Sequence, residues 1–119
     1  MEAEIKKKVI GKLRIYLKVG EKVKSEKLIH KLFPTNKYRK ILDEAKKSGL
    51  MNAHIYHTHA AYENGGELHH RQVEGDNGGL TVCIELVDER EKLEAFCKSH
   101  KSILSNKTIV YKEVELWKI

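Results

Sequence analysis

Apolar and polar positions alternate with a period of two in four places along this chain. Between them lie three stretches with helical spacing, one of them short. Lys12-Leu13-Arg14-Ile15-Tyr16-Leu17 puts Leu13, Ile15 and Leu17 on one face of a half-buried strand. Residues 1–10 read as a charged arm leading into it, and Gly20-Glu21-Lys22 turns the chain away. From Ser25 to Phe33, Leu28, Ile29 and Leu32 fit a short helical turn that Pro34 ends. Thr35 or Asn36 is placed to cap a longer helix through Ser48. Its Tyr38, Ile41, Leu42 and Ala45 form one apolar stripe, and Gly49 suits the left-handed position after it. Ala53 to Thr58 is the second strand. Leu80 to Leu86 is the third, with Leu80, Val82, Ile84 and Leu86 on one face. Asp88 is expected to cap a helix from Glu89 to Ser99, with Leu93, Phe96 and Cys97 facing inward. Thr108 to Trp117 closes the chain as a fourth strand.

The order β-α-β-β-α-β predicts one α+β domain over residues 1–119. It is a ferredoxin-like arrangement, an antiparallel four-stranded sheet with two main helices on one face. The opposite face then needs a cover. If Ile15, Ile55, Val82 and Val110 face the helices, Tyr16, Tyr56 and Tyr111 face away, and an oligomer would bury them.

A polar segment from Thr58 to Gly79 separates the second and third strands, a length that in compact domains is commonly functional or disordered. The region from Ala53 to Leu80 holds five of the seven histidines: His54, His57, His59, His69 and His70. His57 and His59 would share a side if the strand continued through them. With His69 and His70, and an acid such as Glu63, Glu67 or Glu74, they could hold a divalent metal suited to imidazole. Solvated loop histidines account for the same pattern. Gly75, Gly78 and Gly79 could cradle a phosphate through their N–H groups, with Arg71, Lys101 and Lys107 supplying charge. The same residues also suit a plain turn. Lys12 and Arg14 are further candidates on the first strand.

The net charge of +6 permits attraction to phosphates, nucleic acid or acidic surfaces without choosing among them. No apolar run approaches the roughly 18 residues of a membrane span, and Met-Glu-Ala-Glu before Lys6-Lys7-Lys8 is not a secretory signal. A cytoplasmic protein without membrane insertion is therefore expected. Cys83 and Cys97 fit no CxxC pattern and read as free, buried thiols. No nucleophile stands beside a base in a recognisable set, so no enzyme activity and no catalytic residue is expected. RNA recognition by this topology needs aromatics on the first and third strands, and Leu80 to Leu86 has none.

Three segments carry a family resemblance. They are Gly11-Lys12-Leu13-Arg14-Ile15-Tyr16-Leu17, the helix from Lys37 to Lys47, and Ser48-Gly49-Leu50-Met51-Asn52-Ala53-His54-Ile55. Together they resemble domain-of-unknown-function family 190, a PII-like family related to PII signalling proteins and the CutA group. The resemblance runs from Gly11 to Trp117. It implies a homotrimer in which residues 58–79 form the mobile T-loop and a small ligand, a nucleotide by analogy, binds between subunits. The partner would be another protein reached through the loop, for example a membrane transporter. The glycine-rich nucleotide loop of PII proteins is replaced here by His100 to Lys107. The alternative is a CutA-like metal-binding protein using His57, His59, His69 and His70.

Overall fold

The computed structural model describes residues 3–23 and 35–119. The expected helical turn from Ser25 to Phe33, with His30, lies outside them. Strands β1 (Lys6–Lys18), β2 (Asn52–His57), β5 (Thr81–Asp88) and β6 (Thr108–Lys118) form one sheet in the order β2-β5-β1-β6. Every pairing in it is antiparallel. A two-stranded ribbon, β3 (Ala60–Ala61) with β4 (His69–His70), stands apart from it. Helices α1 (Lys37–Lys47), α2 (Arg90–Ser99) and the short α3 (Lys101–Leu104) complete the described elements. This is the ferredoxin-like order read from the sequence, with an added ribbon and an added helical turn.

The registers explain the core. Leu13, Ile15 and Leu17 of β1 stand opposite Leu86, Ile84 and Val82 of β5. Ala53 and Ile55 of β2 extend the same rows. These side chains face Ile41 and Ala45 of α1 and Leu93 and Phe96 of α2 in one cluster that also takes in Leu104. Ile15, Ile41, Ile84 and Leu86 are fully buried. At Gly11, a Cβ would lie 2.6 Å from Tyr111 Cε2 and 2.9 Å from Leu93 Cδ1. The missing side chain therefore admits the tyrosine ring. The Tyr111 hydroxyl is buried without a hydrogen-bond partner, an arrangement that costs about 1–3 kcal/mol when nothing satisfies it.

Four expectations change. Lys6 to Ile10, expected as an arm, is already strand, because it pairs with Val114 to Lys118 of β6. It runs beyond Gly11, where pairing with β5 begins at Asp88. Asp88 is the last residue of β5 and Glu89 occupies the cap position of α2. The buried Asp88 carboxylate instead accepts the N–H of Met51 at 2.9 Å and that of Glu89 at 2.7 Å, tying the start of β2 to the start of α2. Asn36 precedes α1 but makes no side-chain cap bond; it meets Lys22 and the Tyr38 hydroxyl. Finally, Val110 stands opposite Arg14 and Tyr111 opposite Leu13, so Tyr111 rather than Val110 shares the helix side of β6.

The other sheet face carries Tyr56, Cys83, Tyr16 and Thr108 in one row and His54, Glu85, Arg14 and Val110 in the next. Glu85 is buried there, 3.1 Å from Arg14 and 3.4 Å from Lys12. The Tyr16 hydroxyl and Glu85 hold the Arg14 guanidinium firmly protonated, above its ordinary pKa. Tyr56 is 51% exposed and Val110 48%, so this face leaves two large apolar side chains open to water.

On the helix side, His100 stacks on Phe96 with ring centroids 4.3 Å apart and reaches Glu44 of α1 at 3.2 Å. Lys40 at 2.8 Å and Lys47 at 3.7 Å surround the same carboxylate. Hydrogen bonds from Lys40 and His100 hold Glu44 down to about 2 against an ordinary 4.5.

Ile84→Ala should destabilise the protein by about 2–5 kcal/mol, because it opens a cavity between the central strands and both helices; denaturant unfolding measures this. Because the folded-state pKa of Glu44 is depressed, its stabilisation is complete above pH 4.5 and is lost as pH falls towards 2. Unfolding midpoints measured across that interval should therefore depend less on pH in Glu44→Gln than in the parent protein.

Candidate functional site

Antiparallel pairing brings the C-terminal end of β1 beside the N-terminal ends of β5 and β6. Tyr16 stands opposite both Cys83 and Thr108, and Lys18 opposite Thr81. The loop that carries β3 and β4 folds back over this end of the sheet. Two adjoining cavities result. One, of about 170 Å³, is lined by Tyr16, Lys18, Glu21, Lys107 and Thr108 from the body and by Glu63 and Asn64 from the loop. The other, of about 290 Å³, lies under the loop against Tyr62, Glu67, His69 and Gly79. Lys18, Glu63, Asn64 and Thr81 line both.

Local chemistry holds the cleft in shape. The Thr81 hydroxyl donates to Glu63 at 2.8 Å, fastening the loop to the start of β5. The Thr58 hydroxyl donates to the Thr81 carbonyl at 2.6 Å where the loop departs from β2. Gly20 N–H donates to the Gly78 carbonyl at 2.9 Å, and Val19 N–H to the Leu80 carbonyl at 2.9 Å, closing the far side. A Cβ on Gly20 would sit 3.1 Å from the Gly78 backbone, a tight contact that glycine avoids where the two loops meet. Asn64 and Asn106 flank the cleft in the left-handed conformation, φ 52° and 64°, which asparagine tolerates.

Charge is concentrated at the floor. Glu21 accepts the N–H of Lys18 at 2.7 Å and pairs with Lys107, with Lys37 at 4.0 Å. Burial raises the Glu21 carboxyl, but Lys107, the Lys18 N–H and Lys37 outweigh it and leave the group below its ordinary value. Lys107 therefore sits in the cleft as a cation already held by a carboxylate. Lys18 makes no ion pair among the described residues. Two ammonium groups in a cleft also lined by Tyr16, Thr81 and Thr108 can receive an anionic, oxygen-rich group such as a phosphate.

The structure brings only part of the expected ligand set here. Lys107 lines the first cavity and Gly79 the second. Gly78 lies at the closing contact, but its N–H is already taken by the Asp76 carboxylate at 2.7 Å. Gly75 sits at an exposed turn with φ +106°. Arg71 braces the loop's own neck: its guanidinium reaches the Thr58 carbonyl at 3.2 Å, and its N–H the His59 carbonyl at 2.8 Å. Lys101 stands exposed on α3 and lines neither cavity. Lys12 and Arg14 lie on the open sheet face around Glu85.

The four histidines do not form a metal site. Strand β2 ends at His57, so the period-two argument does not carry to His59. The His57 ring packs edge-on against Tyr38, centroids 5.5 Å apart. His69 and His70 are neighbours on β4 and so point to opposite sides, with His69 against Gly79. Among the described residues, no group of three or more His, Cys, Asp or Glu side chains is placed to hold a metal ion.

Tyr16, Lys18, Glu21, Asn106 and Thr108 were not singled out as cleft residues in the sequence. Their signal was positional: they lie at strand ends and the adjoining turns, which antiparallel pairing brings together.

Comparison with known proteins places this geometry. Residues 10–116 match the model of domain-of-unknown-function family 190, described as "Uncharacterized ACR, COG1993". A UPF0166 protein of Aquifex aeolicus is 30% identical over 105 residues, spanning 88% of this chain and 94% of its own length. Among solved structures, the apo form of CPII from Thiomonas intermedia K12, a nitrogen regulatory PII-like protein, superimposes with a TM-score of 0.58. The identity is 12%, and the match covers 98% of this chain and all (100%) of that one. CPII bound to ADP, AMP and bicarbonate gives a TM-score of 0.56 at 13% identity, covering 95% of this chain and 91% of that one. A putative PII-like signalling protein from Thermus thermophilus gives 0.54 at 12% identity, covering 95% and 92%. At such identities the likeness establishes the fold and no more, and the family match does the rest: this chain belongs to domain-of-unknown-function family 190 and has a PII-like fold.

Proposed function

We propose that this protein is a non-enzymatic PII-like regulator that binds an adenine nucleotide in the cleft between the end of β1 and the loop over residues 58–79. The observation that carries this reading is the joint lining of one cavity by Lys18, Glu21 and Lys107 of the body and Glu63 and Asn64 of the loop. A phosphate held by Lys18 and Lys107 would compete with Glu21 for Lys107 and with Glu63 for the surrounding donors. Occupancy would thereby reach the Glu63–Thr81 bond that fastens the loop. The signal would be a change in loop order, read by a protein partner such as a membrane transporter. The named ligands of CPII support the nucleotide class.

The open sheet face is the proposed contact of a homotrimer. Its exposed Tyr56 and Val110 flank the Glu85–Arg14–Lys12 cluster, a mixed apolar and charged surface that a second and third copy would cover. The cleft would then lie near a subunit boundary. No helix among the described residues is long and apolar enough to cross a membrane. A cytoplasmic site of action is part of the proposal.

Calorimetric titration with ATP, ADP and AMP should show saturable binding by at least one of them, and Lys107→Ala should weaken it about tenfold, the loss of one charge-assisted contact. Absence of binding by all three nucleotides would overturn the nucleotide reading. Light scattering should give a trimer for the parent protein, and Val110→Arg should shift it towards monomer by adding a like charge opposite Arg14 on the covered face. A monomeric parent would overturn the assembly reading.

A further inference from the structure

Strands β1 and β6 run on together past the end of β5. Pairing with β5 begins at Gly11, whereas Lys6 to Ile10 pair with Val114 to Lys118 alone. A two-stranded ribbon therefore extends the four-stranded sheet at one end. Its faces follow from alternation. Leu13 and Tyr111 face the helices, so Gly11 with Glu113, Val9 with Glu115 and Lys7 with Trp117 continue that side outwards. Arg90 of α2 stands 3.9 Å from Glu113. Beyond Glu113 the apolar side chains of this side are open to water: Val9 is 63% exposed, Trp117 54%, and Ile5, just before the strand, 41%.

The outer end of the ribbon is also strongly basic. Residues 5–8 and 116–119 hold four lysines and no acid, with Glu4 and Glu115 on either side. Lys6 stands directly opposite Lys118, a like-charged cross-strand pair that destabilises the ribbon unless an anion compensates it. Lys8 is held by Glu89 at 2.9 Å, but Lys6, Lys7 and Lys118 make no ion pair among the described residues. Lys7 Nζ lies 5.0 Å from the centroid of the Trp117 ring, so a cation and an aromatic surface are presented together.

These features discriminate among partners. A second copy seated on this end would set lysines against lysines. A nucleic acid would use the lysines and the indole but leave Ile5 and Val9 without a favourable place. An anionic bilayer surface uses all of them. Its headgroups accept the ammonium groups, its interface suits an indole, and its acyl boundary receives aliphatic side chains. We infer that this ribbon docks on the surface of an anionic lipid bilayer, with Trp117, Val9 and Ile5 entering the headgroup region and Lys6, Lys7 and Lys118 meeting the lipid charges. The contact is peripheral and requires no membrane span. The side concerned is opposite to the open sheet face proposed for the trimer, and the inference does not rest on nucleotide binding.

Trp117 is the only tryptophan of the chain, so its emission reports on this ribbon alone. Titrating the full chain with vesicles of phosphatidylcholine and phosphatidylserine should shift that emission to the blue. Vesicles of phosphatidylcholine alone should not, and rising salt should reverse the shift. Lys6→Gln combined with Lys118→Gln should weaken sedimentation with the mixed vesicles more than about tenfold, at roughly fivefold per charge. Trp117→Ala, with every charge kept, should weaken it at least about fivefold. The proposal is overturned if mixed vesicles leave the emission unchanged, if neutral vesicles shift it equally, or if either variant sediments like the parent. Unchanged emission with vesicles but quenching by a single-stranded oligonucleotide would assign the ribbon to nucleic acid instead. Emission that is already blue without lipid and reddens on dilution would assign it to a second copy, again overturning the proposal.

Discussion

The register between β1 and β5 is the constraint on which everything else depends. Side chains alternate across a strand, so setting Ile15 against Ile84 sends Arg14 and Glu85 to the other face together. A slip of one residue would carry Leu13, Ile15 and Leu17 away from the helices and drive Arg14 and Tyr16 into the core. The buried row of Leu86, Ile84 and Val82 makes that slip prohibitive. One pairing thus fixes two surfaces: a core beneath the helices and a mixed apolar and charged face opposite.

The same pairing decides where a ligand can sit. The β1 strand ends at Lys18, facing Thr81, and β6 begins at Thr108, facing Tyr16. Three strand ends therefore converge, and the long loop closes over them through the Thr81–Glu63 and Gly20–Gly78 contacts. Of the two cleft lysines Lys107 is held by Glu21, so an anion binding there would exchange partners with that carboxylate. In the function proposed above, that exchange would be the physical link between occupancy and loop order.

Much of the fold was legible because its strands are buried on one side and therefore alternate. Legibility failed where that condition failed. Lys6 to Lys8 are charged on both faces of a two-stranded extension, so no period distinguishes strand from arm. Around Val110 and Tyr111, apolar residues occupy consecutive positions, and only pairing with β1 shows which one faces the helices. Asp88 has the composition of a cap, but a long-range bond from the Met51 N–H determines its role. In the candidate site, the loop itself was legible from its length, glycines and histidines. The floor was not, because Lys18, Glu21 and Thr108 are ordinary strand-end and turn residues until pairing brings them together. Arg71 looked like a ligand for the same reason in reverse: its charge is visible in the sequence, but its bond to the Thr58 carbonyl is not.

The central claim is that occupancy of the cleft is transmitted to the loop through Glu63 and Thr81. Amide hydrogen exchange with and without saturating ADP tests it most directly. The account predicts altered exchange across residues 58–70 and 78–81, with Leu13 to Leu17 of β1 and Val82 to Leu86 of β5 unchanged. If ADP binds and exchange changes only outside that loop, or nowhere, the account is contradicted.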